Sequence, residues 1–198
     1  MKKRIFIIVI FIIISVILVA LLYFFNTIPH KQYSNSDFNI ETYISSVDKD
    51  NDGIDDQTDI LNNVRTYIAK KPKYKSKYYE TGYPDDEYGV CTDVVANGLK
   101  DAGYDLKELV NEDIINNKEK YNIEVIDKNI DFRRVRNLDV YLKNNSISLT
   151  KDLSQIEEWQ GGDIIVFKDH IGIISDKRNK KGIPFLIHHA NPIQVNYE

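Results

Sequence analysis

Residues Ile5 to Phe25 form an apolar run of 21 residues that carries no charge and has only Ser15 as a polar interruption. At about 1.5 Å per residue, a helix of that length is roughly 32 Å long, enough to cross the hydrocarbon core of a bilayer. Lys2, Lys3 and Arg4 precede the run, so the positive-inside rule puts Met1 in the cytoplasm and everything after Asn26 outside. A secretory signal has the same polarity. It has a shorter apolar core, however, and small residues at the cleaved bond, whereas this run ends in Leu21-Leu22-Tyr23-Phe24-Phe25. The expectation is an uncleaved single-pass membrane anchor over 1–25, with the rest of the chain outside the cytoplasm.

The stretch 26–47 is polar and mixed, without a sustained period, and reads as a tether. It leaves 48–198 to fold as one domain. The whole chain carries 26 basic and 30 acidic residues. Setting aside Lys2, Lys3 and Arg4 leaves 23 basic residues, so the exported part is mildly acidic and lacks the basic surface that sequence-independent nucleic-acid binding requires.

Hydrophobic periodicity supplies the elements. Ile60, Leu61, Val64, Tyr67 and Ile68 predict a helix over Thr58 to Lys71, with Asp59 in its first turn and Pro72 ending it. Lys73 to Gly89 reads as a tyrosine- and lysine-rich surface loop. A helix starting at Cys91 or Thr92 and stopping at Gly103 follows, then shorter ones over Leu106 to Glu119 and Asn137 to Asn144. Ile164 to Phe167, His170 to Ile174 and Pro184 to His189 are β-branched-rich runs with close turns and predict an antiparallel meander. Helices followed by strands give an α+β class.

Cys91 is the only cysteine, so it has no disulfide partner within the chain, and an exported free thiol must be either buried or used. A helix start favours a thiolate, because its free N–H groups and dipole attract negative charge. A thiol nucleophile also needs an imidazole to exchange its proton and a polar group to hold that imidazole. Of the four histidines, His30 lies in the tether, His170 begins one predicted strand, and His188 and His189 end the next.

The ordered set Gly89-Val90-Cys91-Thr92-Asp93-Val94-Val95, Gly162-Asp163-Ile164-Ile165-Val166-Phe167, His170-Ile171-Gly172-Ile173-Ile174 and Leu186-Ile187-His188-His189-Ala190 resembles the NlpC-like cysteine peptidases of bacterial cell walls. The segment Asn129 to Val135 looks like an uncharacterised branch of exported bacterial proteins in that superfamily. The resemblance implies a papain-like NlpC-type fold in which Cys91 is the nucleophile, His170 the general base and His188 the third member. His189 or Asn191 stand as alternatives for the third, because strand register is not readable from sequence. Catalysis would need no cofactor. The implied substrate is an amide of peptidoglycan stem peptides or of another cell-wall polymer. Thr92 stands where the superfamily usually has serine, and further sheet would be expected beyond Glu198. Two other readings of the same features are a non-catalytic, calcium-stabilised wall-binding module and a thioester-forming acyltransferase.

A second pattern lies upstream. Asp48, Asp50, Asp52, Gly53, Asp56 and Asp59 occupy positions 1, 3, 5, 6, 9 and 12 of a loop over 48–59. That spacing gathers hard oxygen ligands around one centre, with the Ile54 carbonyl at position 7. It predicts a structural calcium site, for which millimolar extracellular calcium would suffice even at weak affinity. A solvated acidic turn capping the next helix would show the same residues.

Overall fold

The apolar run forms one continuous helix, α1 (Lys2–Phe24), with none of its side chains buried, and its length and composition suit a membrane span or a signal sequence alike. The computed structural model describes residues 2–24, 28, 31–194 and 196–198. The readings that rest on Met1, Phe25 and residues 26, 27, 29 and 30, His30 among them, lie outside the described residues.

The next helix, α2 (Asp56–Ala69), starts two residues before its predicted start, because the Asp55 side chain caps it by accepting the Thr58 N–H. Lys71 then turns left-handed ahead of Pro72. The buried face of α2, with Ile60, Leu61, Val64 and Tyr67, packs on α3 (Cys91–Asp101). Gly98 permits that approach: a Cβ there would stand 3.0 Å from Val64 Cγ1 and 3.4 Å from the Ile60 carbonyl. Val64, Val94 and Val95 are fully buried at the contact, each worth roughly 1.5–3 kcal/mol of apolar burial.

Helix α4 (Leu106–Asn116) buries Leu106, Val110 and Ile114. It packs on α3, on the short α5 (Lys128–Asp131) and on α6 (Val135–Asn145). The stretch Lys73 to Gly89, expected to be loop throughout, contains a small parallel pair of its own, β1 (Lys73–Tyr74) with β2 (Tyr88–Gly89). The meander is present as β3 (Ile164–Val166), β4 (Ile171–Arg178) and β5 (Pro184–Ile187), antiparallel and in that order. Ile171, Ile173 and Ile187 face the helices and are fully buried. The class is α+β with one N-terminal apolar helix.

The tether reading needs correction from Lys31 onward. Tyr33 pairs with Arg178 at the end of β4, with N–H to carbonyl distances of 2.9 and 2.6 Å. Asn35 is buried; its Oδ1 accepts from Arg178 Nε at 2.6 Å and its Nδ2 donates to Gln160 Oε1 at 3.2 Å. The same Gln160 oxygen takes the Tyr43 N–H, and the Val47 carbonyl takes the Asp56 N–H at 2.9 Å. Residues 31–47 are therefore a strap held by polar contacts, and such contacts leave no hydrophobic period in the sequence.

Candidate functional site

Cys91 opens α3 behind Val90, whose extended backbone ends β2's approach to the helix. Its first turn is fixed from inside. Asp93 is fully buried, accepts the Val90 N–H at 2.9 Å, and receives Arg133 Nε and Nη2 at 2.6 and 2.9 Å in a bidentate pair. Arg133 Nη1 donates to the Lys77 carbonyl at 2.6 Å, and its guanidinium lies 5.0 Å from the Tyr79 ring centre. The Thr92 hydroxyl donates to the Arg133 carbonyl at 3.2 Å, so the residue standing in for serine ties α3 to the α5–α6 segment. Gly89 is pressed against Tyr67, whose Oη would lie 2.2 Å from a Cβ at that position. That phenol is buried with no hydrogen-bond partner among the described residues.

The thiol differs from what its helix-start position led us to expect. Cys91 is only 9 % exposed, and burial pushes its pKa up from the ordinary value, with buried Asp93 adding to the rise. Backbone hydrogen bonding from Ile171, Thr92 and Cys91 itself pulls the other way without offsetting the rise. The resting group is a thiol. The Ile171 backbone thus brings the start of β4 against the sulfur, one residue along the chain from His170.

His170 sits in the tight turn between β3 and β4, its carbonyl accepting the Phe167 N–H at 2.8 Å. Its Nε2 is 2.8 Å from His188 Nδ1, and the two rings meet edge to face at 4.9 Å. That contact uses one ring nitrogen of His170 and leaves Nδ1 for a reacting group. His188 follows β5 and is itself held at both backbone groups, its N–H by the Tyr197 carbonyl and its carbonyl by the Gln194 amide. Burial lowers the pKa of both imidazoles, His188 to about 4 with His170 and His189 contributing, so both are neutral at pH 7.

The other two candidates for the third position lie elsewhere. His189 is 1 % exposed and is packed edge-on between Tyr74 and Tyr197 at 5.2 and 4.9 Å, with Nδ1 unpartnered among the described residues. Asn191 spends its Oδ1 on the Ile193 N–H in a turn. An open cleft of about 380 Å³ runs along Tyr74, Tyr88, His189 and Tyr197 with Lys71 and Lys73 at its rim. None of Cys91, His170 and His188 lines it.

In the acidic loop, Asp48, Asp50 and Asp52 bring carboxylate oxygens within 4.8 Å of one another. Asp56, expected among the ligands, is turned away: one oxygen accepts the Lys49 N–H at 2.7 Å and the other the Tyr104 hydroxyl. Asp59 lies on α2, only 7 % exposed. Asp93 and Arg133 were not among the sequence candidates. The only trace they leave there is an acid in a helix's first turn and an arginine cluster 40 residues on.

The site thus defines an α+β protein in which a cysteine opens a helix packed on a meander that carries a hydrogen-bonded histidine pair. The chain belongs to the family described as a domain of unknown function (DUF1287), which matches residues 61–198. It is 32 % identical over 142 residues to the uncharacterized protein YijF of Escherichia coli (strain K12), a match that covers 65 % of this chain and 69 % of that relative. No solved structure matches.

Proposed function

We propose that this chain is a membrane-anchored, extracytoplasmic cysteine hydrolase of NlpC-like, papain-like fold that cleaves an amide, with peptidoglycan stem peptides as its substrate. The observation that carries the reading is the 2.8 Å bond from His170 Nε2 to His188 Nδ1, on a meander whose first β4 residue, Ile171, contacts the helix-start cysteine through its backbone. A third group orienting an imidazole next to a thiol is the arrangement that covalent acyl transfer requires.

With thiol and imidazole both neutral at rest, His170 acts as a general base. Its Nδ1 takes the Cys91 proton as sulfur attacks the carbonyl carbon, and His188 holds the imidazolium that results. Backbone N–H groups at the start of α3 stabilise the oxyanion. His170 then protonates the leaving amine, and a water deprotonated by the same imidazole releases the acid from the thioester and returns the thiol.

The test is digestion of purified peptidoglycan by the full chain in detergent, wild type against Cys91→Ala, with mass analysis of released fragments. Wild-type-specific fragments are expected and would identify the bond; identical digests would end the hydrolase reading. A second reading is favoured by the buried, protonated thiol, which is how a structural cysteine presents itself: a binding module that keeps the fold without turnover. Iodoacetamide labelling separates the two. A catalytic base speeds alkylation of Cys91, so His170→Ala slows it in a hydrolase and leaves it unchanged in a binding module.

A further inference from the structure

The open cleft beside β1 and β2 holds about 380 Å³, within the size range of small-ligand sites. Its walls include the rings of Tyr74, Tyr88 and Tyr197 with Pro72 and Pro192, and no leucine, isoleucine, valine or methionine lines it. Such walls offer electron-rich faces to polarised C–H groups and no aliphatic slot for an acyl chain. The Tyr74 and Tyr88 hydroxyls make no hydrogen bond with any described residue. His189 gives the second observation: it lines the same cleft, is 1 % exposed, and has an Nδ1 without a partner among the described residues. It meets the Tyr74 and Tyr197 rings edge to face, and neither contact satisfies that nitrogen. A buried polar atom left unmatched is costly, and a ligand in the cleft is placed to match it.

The rim is basic on a chain whose balance is acidic, with five lysines between positions 70 and 77. Glu87 takes Lys73 and Asp86 takes Lys77. Lys71, which lines the cleft, and Lys75, whose Nζ lies 5.0 Å from the Tyr88 ring centre, form no ion pair among the described residues. We propose that this cleft is a binding subsite for an acidic saccharide. A pyranose ring lies against the tyrosine rings, its carboxylate meets Lys71 and Lys75, and a ring substituent pairs with His189 Nδ1. A sugar ring has C–H faces edged with hydroxyls, which is what aromatic walls with unengaged phenols match, and one carboxylate answers the unpaired lysines. Tyr88 stands three positions before Cys91 and His189 directly after His188, so the occupant is held on the two segments that carry those residues. The subsite does not rest on the hydrolase reading: binding is read without turnover, in Cys91→Ala as in wild type, and either can fail alone.

The experiment uses the full chain in a sugar-free detergent, titrated by saturation-transfer NMR with glucuronic acid and N-acetylmuramic acid and with their neutral counterparts, glucose and N-acetylglucosamine. At least one acid is expected to bind with a Kd of about 1–10 mM, and its neutral counterpart roughly 5-fold or more weakly. Which acid binds tells a uronic polymer from a muramyl glycan. Lys71→Gln together with Lys75→Gln is expected to abolish the preference for the acid, and Tyr88→Ala to weaken binding about 3-fold or more. Both lysines are exposed, so their variant keeps the test decisive should Tyr88→Ala fail to fold. No binding of either acid up to about 50 mM would overturn the subsite. So would equal binding of acid and neutral sugar, or an acid preference that survives in the lysine variant. Equal affinity for N-acetylalanine, a carboxylate without a sugar ring, would overturn the saccharide assignment.

Discussion

At the scale of single residues, the chemistry turns on which groups are charged at rest. A buried thiol with a raised pKa and a neutral imidazole form no thiolate–imidazolium pair at rest, so in the proposed mechanism proton transfer and attack are coupled. His170→Ala is therefore expected to lower kcat by roughly 10²–10⁴-fold, read from fragment release. In the proposed mechanism His188 acts through His170 as a positioning residue. His188→Ala should lower kcat with KM little changed, His188→Asn should restore part of the loss, and both should displace the acid limb of the pH–rate profile. A purely structural histidine would leave that limb in place. The Asp93–Arg133 pair gives a stability prediction: Asp93→Asn or Arg133→Met alone leaves a buried charge or donor set unpaired and should cost roughly 3–5 kcal/mol in urea unfolding. The double variant should recover much of that loss, because both partners are then gone together.

Among the elements, what was legible in the sequence is what repeats locally. Ile60 to Ile68 and Ile164 to Ile174 carry their own period, so α2 and the meander could be read within a few residues. Asn35 and Arg178 carry none. Each is an isolated polar residue, 143 positions apart, whose meaning exists only once β4 is formed. The same limit applied at the site. The order cysteine, histidine, histidine was visible, but the choice between His188 and His189 depends on register, and neighbours on an extended chain point to opposite faces. Arg178, the strap's anchor through Asn35 and Tyr33, is itself held by the Ile156, Trp159 and Gly182 carbonyls, and it is fully buried with no carboxylate partner among the described residues. Arg178→Met should free the strap, losing about 1–3 kcal/mol and opening residues 31–43 to limited proteolysis while the meander stays protected.

For the molecule as a whole, His170, His188 and His189 make stability depend on pH. Each has a folded pKa below the ordinary 6.5, His188 at about 4, so the unfolded chain binds more protons between those values. Their contribution is complete above pH 6.5 and is lost as pH falls through 6.5 toward 4. After discounting for solvent screening, a loss of about 1–2 kcal/mol is expected from His188. Urea midpoints at pH 7 and pH 4.5 would measure it, and His188→Asn should flatten the difference.

The strap also sets a distance. Only eight residues lie between Phe24, the last residue of α1, and Tyr33, the first described residue that pairs with the folded domain. The nine steps from one to the other span at most roughly 32 Å fully drawn out. With α1 retained in the bilayer, the domain is leashed within about its own diameter of the lipid surface. On the proposed function, a polymer substrate would have to be met within that distance of the membrane.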